Sequence, residues 1–491
     1  MLSVLVAHSY FLRFDQKQWQ RAKPYPPLAT LQVASALRQA GHSVAVFDAM
    51  LAQGVTDFDA RLGTLAPQLI LLYEDTFNFL SKMCLGKMRQ AAFHMIAKAC
   101  HTGARVIAAG PDASDAPEAY LAAGAELVLL GEGLSTLRTI IDRLAADPRA
   151  PASLLAEGLS GVAIRGTAAA QVIRGGALLP ASRAPTLPAW DLIDVESYRA
   201  VWQRAHRYFS LNMAASRGCS FRCNWCAKPI WGNHYLQREA AEVAAEMAHL
   251  KRTFGPDHIW FADDVFGFRA DWVTRFASAV DAAQGSIPFT IQTRADLLSV
   301  AMARALKAAG CREVWIGAES GSQRVLNAMN KGTTVEEILS ARARLREAGI
   351  RVGFFIQLGY LDEQLADILA TRTLLEAARP DDIGVSVSYP LPGTRFYELV
   401  KEQLQSKTHW QESDDLEMMF EGTYSTGFYH AVRDLLHDQV VIDEVGTGAE
   451  GAGAAARSLR QRWDALIADE RRWRNAPAAH ATARPAAMNE V

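Results

Sequence analysis

The sequence predicts an α/β protein: an N-terminal Rossmann-like doubly wound sheet, then a partial or full parallel (β/α) barrel, then a mixed, mainly helical C-terminal region. Three observations predict it. Short β-rich runs alternate with helical patterns twice, once in residues 1–150 and again in 206–395. A Pro-rich connector separates the two series. At 491 residues the chain is long enough for about two to three domains, each with its own core.

The first series opens with "SVLVA", the helix-patterned "LATLQVASALRQAG" and "SVAVFDA". It continues through "LILLY", a helix in "MRQAAFHMIAKAC", then "RVIAAG", "YLAAG" and "ELVLLGEG", and a helix from Ser135. Doubly wound sheets bind ligands beyond the carboxyl ends of their strands. That makes candidates of Tyr73, Glu74, Asp75 and Thr76, of Gly110, Pro111 and Asp112, and of Gly131, Glu132 and Gly133. The competing reading leaves the glycines as tight turns between strand and helix.

Residues 151–205 are the connector, with "GVAIRG" and a Pro-rich part poorly suited to regular structure. In 206–395 the strand candidates are "SLNMAAS", "HIWFADD", "FTIQTRA", "EVWIGAES", "VGFFIQLG" and "IGVSVSYPLPG". Six βα units in a row read as a barrel with its chemistry at the carboxyl ends of the strands. Residues 396–445 form a C-terminal extension, whose "MMFEGTYSTGFYH" is expected to cap the barrel mouth. Residues 446–491 read as a partly disordered tail with one helix around "RSLRQRWDALIADERRW".

Composition excludes several functions. With 51 Lys and Arg against 53 Asp and Glu, there is no electrostatic case for nucleic acid. No run of about eighteen apolar residues provides a membrane span. The start, "MLSVLVAHSYFLRFDQ", reads as a first strand and not as a signal peptide. Six cysteines without such a signal point to a reducing, cytoplasmic setting, where clustered thiols more often bind metal than pair.

Three of those six, Cys219, Cys223 and Cys226, crowd into "AASRGCSFRCNWCAKPIWG" just after the first barrel strand. Structural zinc needs four protein ligands, and His234 is the nearest candidate for a fourth, although a lone histidine there is more often a polar loop residue. A cubane iron–sulfur cluster held by three thiolates keeps one iron open for a small molecule, whereas electron carriers usually close all four corners. Cys84, Cys100 and Cys311 read as ordinary buried thiols.

With aromatic Trp225 before the last cysteine, the stretch from Cys219 to Cys226 resembles the signature of radical S-adenosylmethionine (SAM) enzymes. The resemblance runs on through "HIWFADDVFG", "TRADLL", "GAESGSQRVLNAMNKG" and "YPLPGT", and so covers the barrel. The N-terminal sheet, through "PYPPLATLQVASALRQAGHSVAVFDA" and "ELVLLGEG", resembles the cobalamin-binding domain fused to one branch of that superfamily, which includes cobalamin-dependent methyltransferases and the anaerobic magnesium-protoporphyrin monomethyl ester cyclase.

The resemblance implies that Cys219, Cys223 and Cys226 hold a [4Fe–4S] cluster whose open iron is chelated by SAM, and that reduction yields a 5′-deoxyadenosyl radical. Glu319 and Ser320 match a segment that contacts SAM in relatives, and Arg294 is a candidate partner for the SAM carboxylate because its guanidinium can pair bidentately, against the alternative of a structural ion pair for Glu319 and Arg294. Asp263 and Asp264 also end a strand and are candidates to face cofactor or substrate. For cobalamin the implied contacts are Tyr73, Glu74, Asp75, Thr76, Gly110, Gly131, Glu132 and Gly133, with the Tyr73–Thr76 loop nearest the lower face of the corrin. The D-x-H-x-x-G cobalt-ligating motif of many methyltransferases is absent from residues 1–150, where the histidines are His8, His42, His94 and His101. Two further departures are "LGYLDEQ", which lacks the proline of a common Gly-aromatic-Pro-Gly-Glu-Thr turn, and Ala29 in "PPLAT", where relatives often have glycine.

The expected activity is cobalamin-dependent C-methylation of a small molecule, with an external electron donor of flavodoxin or ferredoxin type. The alternatives are cyclisation or oxidation without methyl transfer, a cobalamin- or redox-responsive binding protein, and a structural zinc module. Trp231, Tyr235, Phe266, Phe268, Tyr389 and Tyr424 are candidate pocket aromatics, set against the plainer reading of core packing.

Overall fold

The computed structural model describes residues 1–77, 85–165, 170–173, 187–226, 234–404, 416–445 and 452–475. Its first sheet contains β1 (Ser3–Ala7), β2 (Ser43–Phe47), β3 (Leu69–Tyr73), β4 (Arg105–Ala109) and β5 (Leu127–Leu129). They run parallel in the order 2-1-3-4-5. The strands are nearly all apolar because both faces are covered. Val4, Val6, Leu69 and Leu71 face one core with helix Leu28–Gln39. Leu5, Ala7, Ile70 and Leu72 face a second core with Phe58, Met95 and Ile96. "YLAAG" is not a strand: it ends helix Pro117–Ala123, which starts on a proline and buries Tyr120 and Leu121.

The connector contributes more than a link. β6 (Val162–Arg165) pairs antiparallel with β5, and β7 (Ala170–Ile173) pairs antiparallel with β6, so the first sheet extends past residue 150. The Pro-rich 174–186 lies outside the described residues. Helix Val195–His206 then leads to β8 (Ser210–Met213), against which the proline-rich segment 23–28 rests. Trp202 Nε1 donates to the Pro24 carbonyl at 2.7 Å, Asn212 Nδ2 donates to the Pro26 carbonyl at 3.0 Å, and the Tyr25 and Ser210 hydroxyls meet at 3.0 Å.

Two short strands unread in the sequence follow: β9 (Ser216–Gly218) and β10 (Tyr235–Gln237) pair antiparallel and bracket the cysteine loop. β11 (His258–Phe261), β12 (Phe289–Thr293), β13 (Cys311–Glu319), β14 (Arg351–Leu358) and β15 (Asp382–Val387) complete a six-stranded parallel sheet with β8. Its order is 15-14-13-12-11-8, so the barrel is partial and open between β15 and β8. All six predicted strands are present. Val314, Ile316, Val352, Phe354 and Ile356 are fully buried on the helix side, and this core is continuous with one face of the first sheet. Truncating any of them to Ala costs about 2–5 kcal/mol.

The C-terminal extension packs Phe420 on Phe396, and Tyr424 OH accepts from Leu365 N at 2.8 Å, beside the carboxyl end of β14. The predicted tail helix is observed as Ala452–Ala468, while 446–451 and 476–491 lie outside the described residues. No described helix is long and apolar enough to cross a membrane.

Candidate active site

The cysteine loop leaves the β9–β10 ribbon at Gly218, whose φ of 73° favours a residue without a Cβ. Asp263, at the end of β11, fixes the base of the ribbon: its carboxylate accepts from Ala215 N at 3.0 Å and from the Ser216 hydroxyl. Burial pushes its carboxyl up to about 7 in spite of these bonds. Asp263 therefore faces the ribbon, and its role is to hold it.

Asn224, between two of the cysteines, ties the loop to three other elements. Its backbone N–H donates to the Met329 carbonyl at 3.0 Å, and its Nδ2 to that of Ala328 at 2.7 Å. Its Oδ1 accepts from Tyr360 OH at 2.8 Å, and its carbonyl accepts from Phe396 N at 2.9 Å. Tyr360 belongs to the "LGYLDEQ" turn. That turn closes without the proline because Glu363 accepts from Gly359 N at 2.6 Å.

Cys219, Cys223 and Cys226 form no disulfide and are of intermediate exposure. Arg294 Nη1 lies 3.7 Å from Cys223 Sγ, with the guanidinium 3.6 Å over the Phe221 ring. The same guanidinium is aimed by Asp296 at 2.9 Å and by the Lys331 carbonyl at 2.7 Å. Glu319 ends β13 in a left-handed conformation, φ 60°, a strain of about 1–2 kcal/mol. Its Oε1 accepts from Lys331 Nζ at 2.7 Å, with both side chains buried. Burial alone would lower the Lys331 ammonium, but Glu319 and the Cys223 sulfur hold it above its ordinary value. Gly317 makes the room, since a Cβ there would lie 2.6 Å from Glu319 Oε1 and 2.7 Å from Lys331 Nζ.

Of the three residues expected to contact SAM, Glu319 and Arg294 are thus gathered beside Cys223, joined through Lys331. Glu319 is ion-paired, but with Lys331, and Arg294 with Asp296. Ser320 faces the other way. Its Oγ accepts from Ser322 N at 3.1 Å and meets Thr371 Oγ1 at 3.3 Å, building the turn into helix Gln323–Ala328. Sequence reasoning missed Lys331, whose partner Glu319 lies twelve residues away, and Asn224 and Arg217, whose partners lie far along the chain.

The donor set fits an anionic cluster: three thiols outside any disulfide, with a guanidinium and an ammonium beside one of them. Among the described residues no three His, Cys, Asp or Glu side chains form a site for a single metal ion, and His234 is exposed. Cys311 is buried as expected, whereas Cys100 is exposed on its helix and bonds the Gly124 carbonyl. Cys84 and Trp231 lie outside the described residues. Phe266 and Tyr424 are fully buried core, while Tyr235 and Phe221 pack on Phe268 beside the cysteine loop. Tyr389 is partly buried against the core.

In the first sheet the strand order reverses between β1 and β3, where such sheets open a crevice. The predicted loop residues line it mostly from within. Tyr73 OH donates to the Glu132 carbonyl at 2.7 Å, and Glu74 accepts from Ser9 N at 2.9 Å. Asp75 caps helix Leu28–Gln39 by accepting from Ala29 N at 3.0 Å, and burial raises its carboxyl to about 6. Ala29 thus replaces glycine at no cost to the helix start. Gly110 presses on Glu74, where a Cβ would come within 2.6 Å of the side chain. Gly131 N donates to Ser114 Oγ at 2.9 Å, and Gly133 sits against Leu129. Thr76 Oγ1 and His8 Nδ1 are buried without a protein partner among the described residues, which leaves this crevice polar atoms to offer a ligand. At its rim Glu132 pairs with Arg217 of β9, which also donates to Gln32.

Residues 213–375 match the Radical SAM superfamily. The partial barrel with its cysteine loop is therefore a radical SAM domain, and a [4Fe–4S] cluster and SAM are the cofactors that domain implies. The chain is 25% identical over 398 residues to a Pyrococcus horikoshii protein described as an uncharacterized methyltransferase, covering 79% of this chain and 81% of that one. It is 25% identical over 288 residues to the anaerobic magnesium-protoporphyrin IX monomethyl ester cyclase of Cereibacter sphaeroides, covering 57% of this chain but only 45% of the cyclase. It shares its fold with TsrM of Kitasatospora setae, a radical SAM methyltransferase solved with cobalamin and a [4Fe–4S] cluster bound. That likeness has a TM-score of 0.66 at 19% identity, over 82% of this chain and 78% of TsrM.

Proposed function

We propose that the chain is a cobalamin-dependent radical SAM enzyme that methylates an unactivated carbon of a small molecule. One observation carries the reading furthest: Arg217, two residues before Cys219, reaches Glu132 on the carboxyl edge of the first sheet. The cysteine loop and the β1/β3 crevice are thereby tied together, as a reaction shared between two cofactors requires.

Cys219, Cys223 and Cys226 would hold the cluster. Arg294 and Lys331 supply positive charge for the carboxylate of SAM, and Glu319 an acceptor for its amino group. Ser320 acts through the turn it builds. In the crevice, Thr76 and the backbone of Tyr73, Glu74 and Asp75 would meet the corrin, with Gly110, Gly131, Glu132 and Gly133 shaping the rim. When bound, the cluster supplies the electron that cleaves SAM to a 5′-deoxyadenosyl radical, and cobalamin carries the methyl group. The chain's own work is to orient these groups and keep water from them. An external protein of flavodoxin or ferredoxin type would deliver the electron.

Cyclisation without methyl transfer is the second reading, favoured by the similarity to the protoporphyrin ester cyclase. Anaerobic reconstitution of wild type and Cys223→Ala, with SAM labelled on its methyl group and with or without cobalamin, tests both. Formation of 5′-deoxyadenosine by wild type alone supports the radical chemistry. Label in the product of a cell-extract incubation, dependent on cobalamin, supports methylation over cyclisation. A wild type that takes up no iron refutes the proposal.

A further inference from the structure

The barrel sheet has a second face that none of the residues above explains. Along β13 and β14 the residues alternating with Val314, Ile316, Val352, Phe354 and Ile356 point away from the helices, to the concave side that also carries Glu319. There Trp315 and Phe355 stack, with centroids 4.8 Å apart and planes 28° from parallel. Both rings are only partly buried. The stack lies flat because two neighbours lack side chains. A Cβ at Gly353 would lie 2.5 Å from the Trp315 ring, and one at Gly384 would lie 3.3 Å from Phe355 and 3.5 Å from Trp315. Trp315 Nε1 donates to Glu313 at 3.3 Å, which pins the indole in its plane.

The register places Phe355 opposite Gly317, the residue that makes room for Glu319 and Lys331. Two residues further on, Gln357 is buried, with its Nε2 donating to Ser388 Oγ at 3.0 Å. Its Oε1 has no partner among the described residues. A buried amide oxygen without a hydrogen is costly unless a ligand brings one.

We propose that this shelf is the substrate seat, and that the substrate is a planar conjugated ring bearing an N–H or O–H donor: the ring stacks along Trp315 and Phe355, and the donor meets Gln357 Oε1. The inference rests on the barrel being the active site of the enzyme proposed above, and adds the class of its substrate. Flatness is selected by the stack, because an aromatic face gains from parallel contact that a puckered ring cannot make. The donor is selected by Gln357, because a ligand lacking it leaves the buried oxygen unpaired.

The test needs no cofactor. Binding of 2-naphthol, 2-methoxynaphthalene and decahydro-2-naphthol to the full-length chain is measured by calorimetry or saturation-transfer NMR. The expected order on wild type is 2-naphthol first, the capped ether weaker by about fivefold or more, and the puckered alcohol weaker by roughly threefold to tenfold. In Gln357→Leu the gap between naphthol and its ether closes, and in Trp315→Leu the gap between flat and puckered alcohols closes. Equal binding of the three probes to wild type overturns the proposal, and that comparison stands even if a variant fails to fold. Wild type that cleaves SAM but shows no such order loses the shelf and keeps the enzyme. The order without iron uptake keeps the shelf as a binding site and removes the reaction assigned to it.

Discussion

Replacing Glu132 by leucine removes the carboxylate that Arg217 meets where the first sheet adjoins the cysteine loop. The two side chains are 8% and 7% exposed, so little water reaches the guanidinium to take its place. Breaking a buried pair from one side costs about 3–5 kcal/mol. Gln32 still accepts from Arg217, which puts the expected loss near the lower end, about 3 kcal/mol. An unfolding entropy of about 2.1 cal/mol/K per residue gives roughly 1 kcal/mol/K for this chain if it melts as one unit. The melting temperature should then fall by about 3 °C. Arg217→Met should cost a similar amount by stranding Glu132. The double variant, with both charges gone, should return to within about 1 kcal/mol of wild type, since an apolar pair of similar volume replaces a buried ion pair at little cost. Differential scanning calorimetry on the four proteins measures the cycle. Single variants that shift the melt by less than about 1 °C, or a double variant whose loss is the sum of the singles, would refute the reasoning.

Three further expectations follow from other contacts. Burial raises the Glu363 carboxyl to about 8, above its unfolded value, so the folded state holds this proton more tightly; stability should fall as pH rises from about 4.5 to 8, and Glu363→Gln should flatten that part of a melting-temperature profile. A profile of unchanged slope would show that another group governs it. Asn224→Ala loses its bonds to Tyr360 and Ala328, about 1–3 kcal/mol together, so the reconstituted protein should retain less iron on gel filtration than wild type. Gly317→Ala must push Glu319 from Lys331, and binding of a SAM analogue, read by calorimetry, should weaken at least tenfold, the equivalent of about 1.4 kcal/mol.

The barrel was legible because each strand is a short β-rich run, and the run of βα units needs no long-range information to be recognised. The cysteine triad was legible because its ligands lie within eight residues. Local pattern could not show β9 and β10, three residues each, which exist only because they pair with each other across the loop. Nor could it show that Glu74 and Asp75 turn inward to Ser9 and Ala29, or that Asp263 grips Ser216. Lys331 was invisible for the same reason: its ion pair spans twelve residues and depends on the absence of a side chain at Gly317. Cys100 was misread because helix membership does not tell which face a residue occupies.

The prolines in segment 23–28 have a consequence for the shape of the barrel. Pro24, Pro26 and Pro27 carry no backbone N–H. The segment can therefore take hydrogen bonds from Trp202 and Asn212 through its carbonyls, but it lacks the donors to add to β8 as a seventh strand. It meets β8 through the side chains of Ser210 and Asn212 and does not extend the sheet. The seam between β8 and β15 is unpaired, and the first barrel strand is braced through its side chains by a segment some 180 positions ahead of it, so the N-terminal unit and the barrel are held together at the strand where the barrel begins.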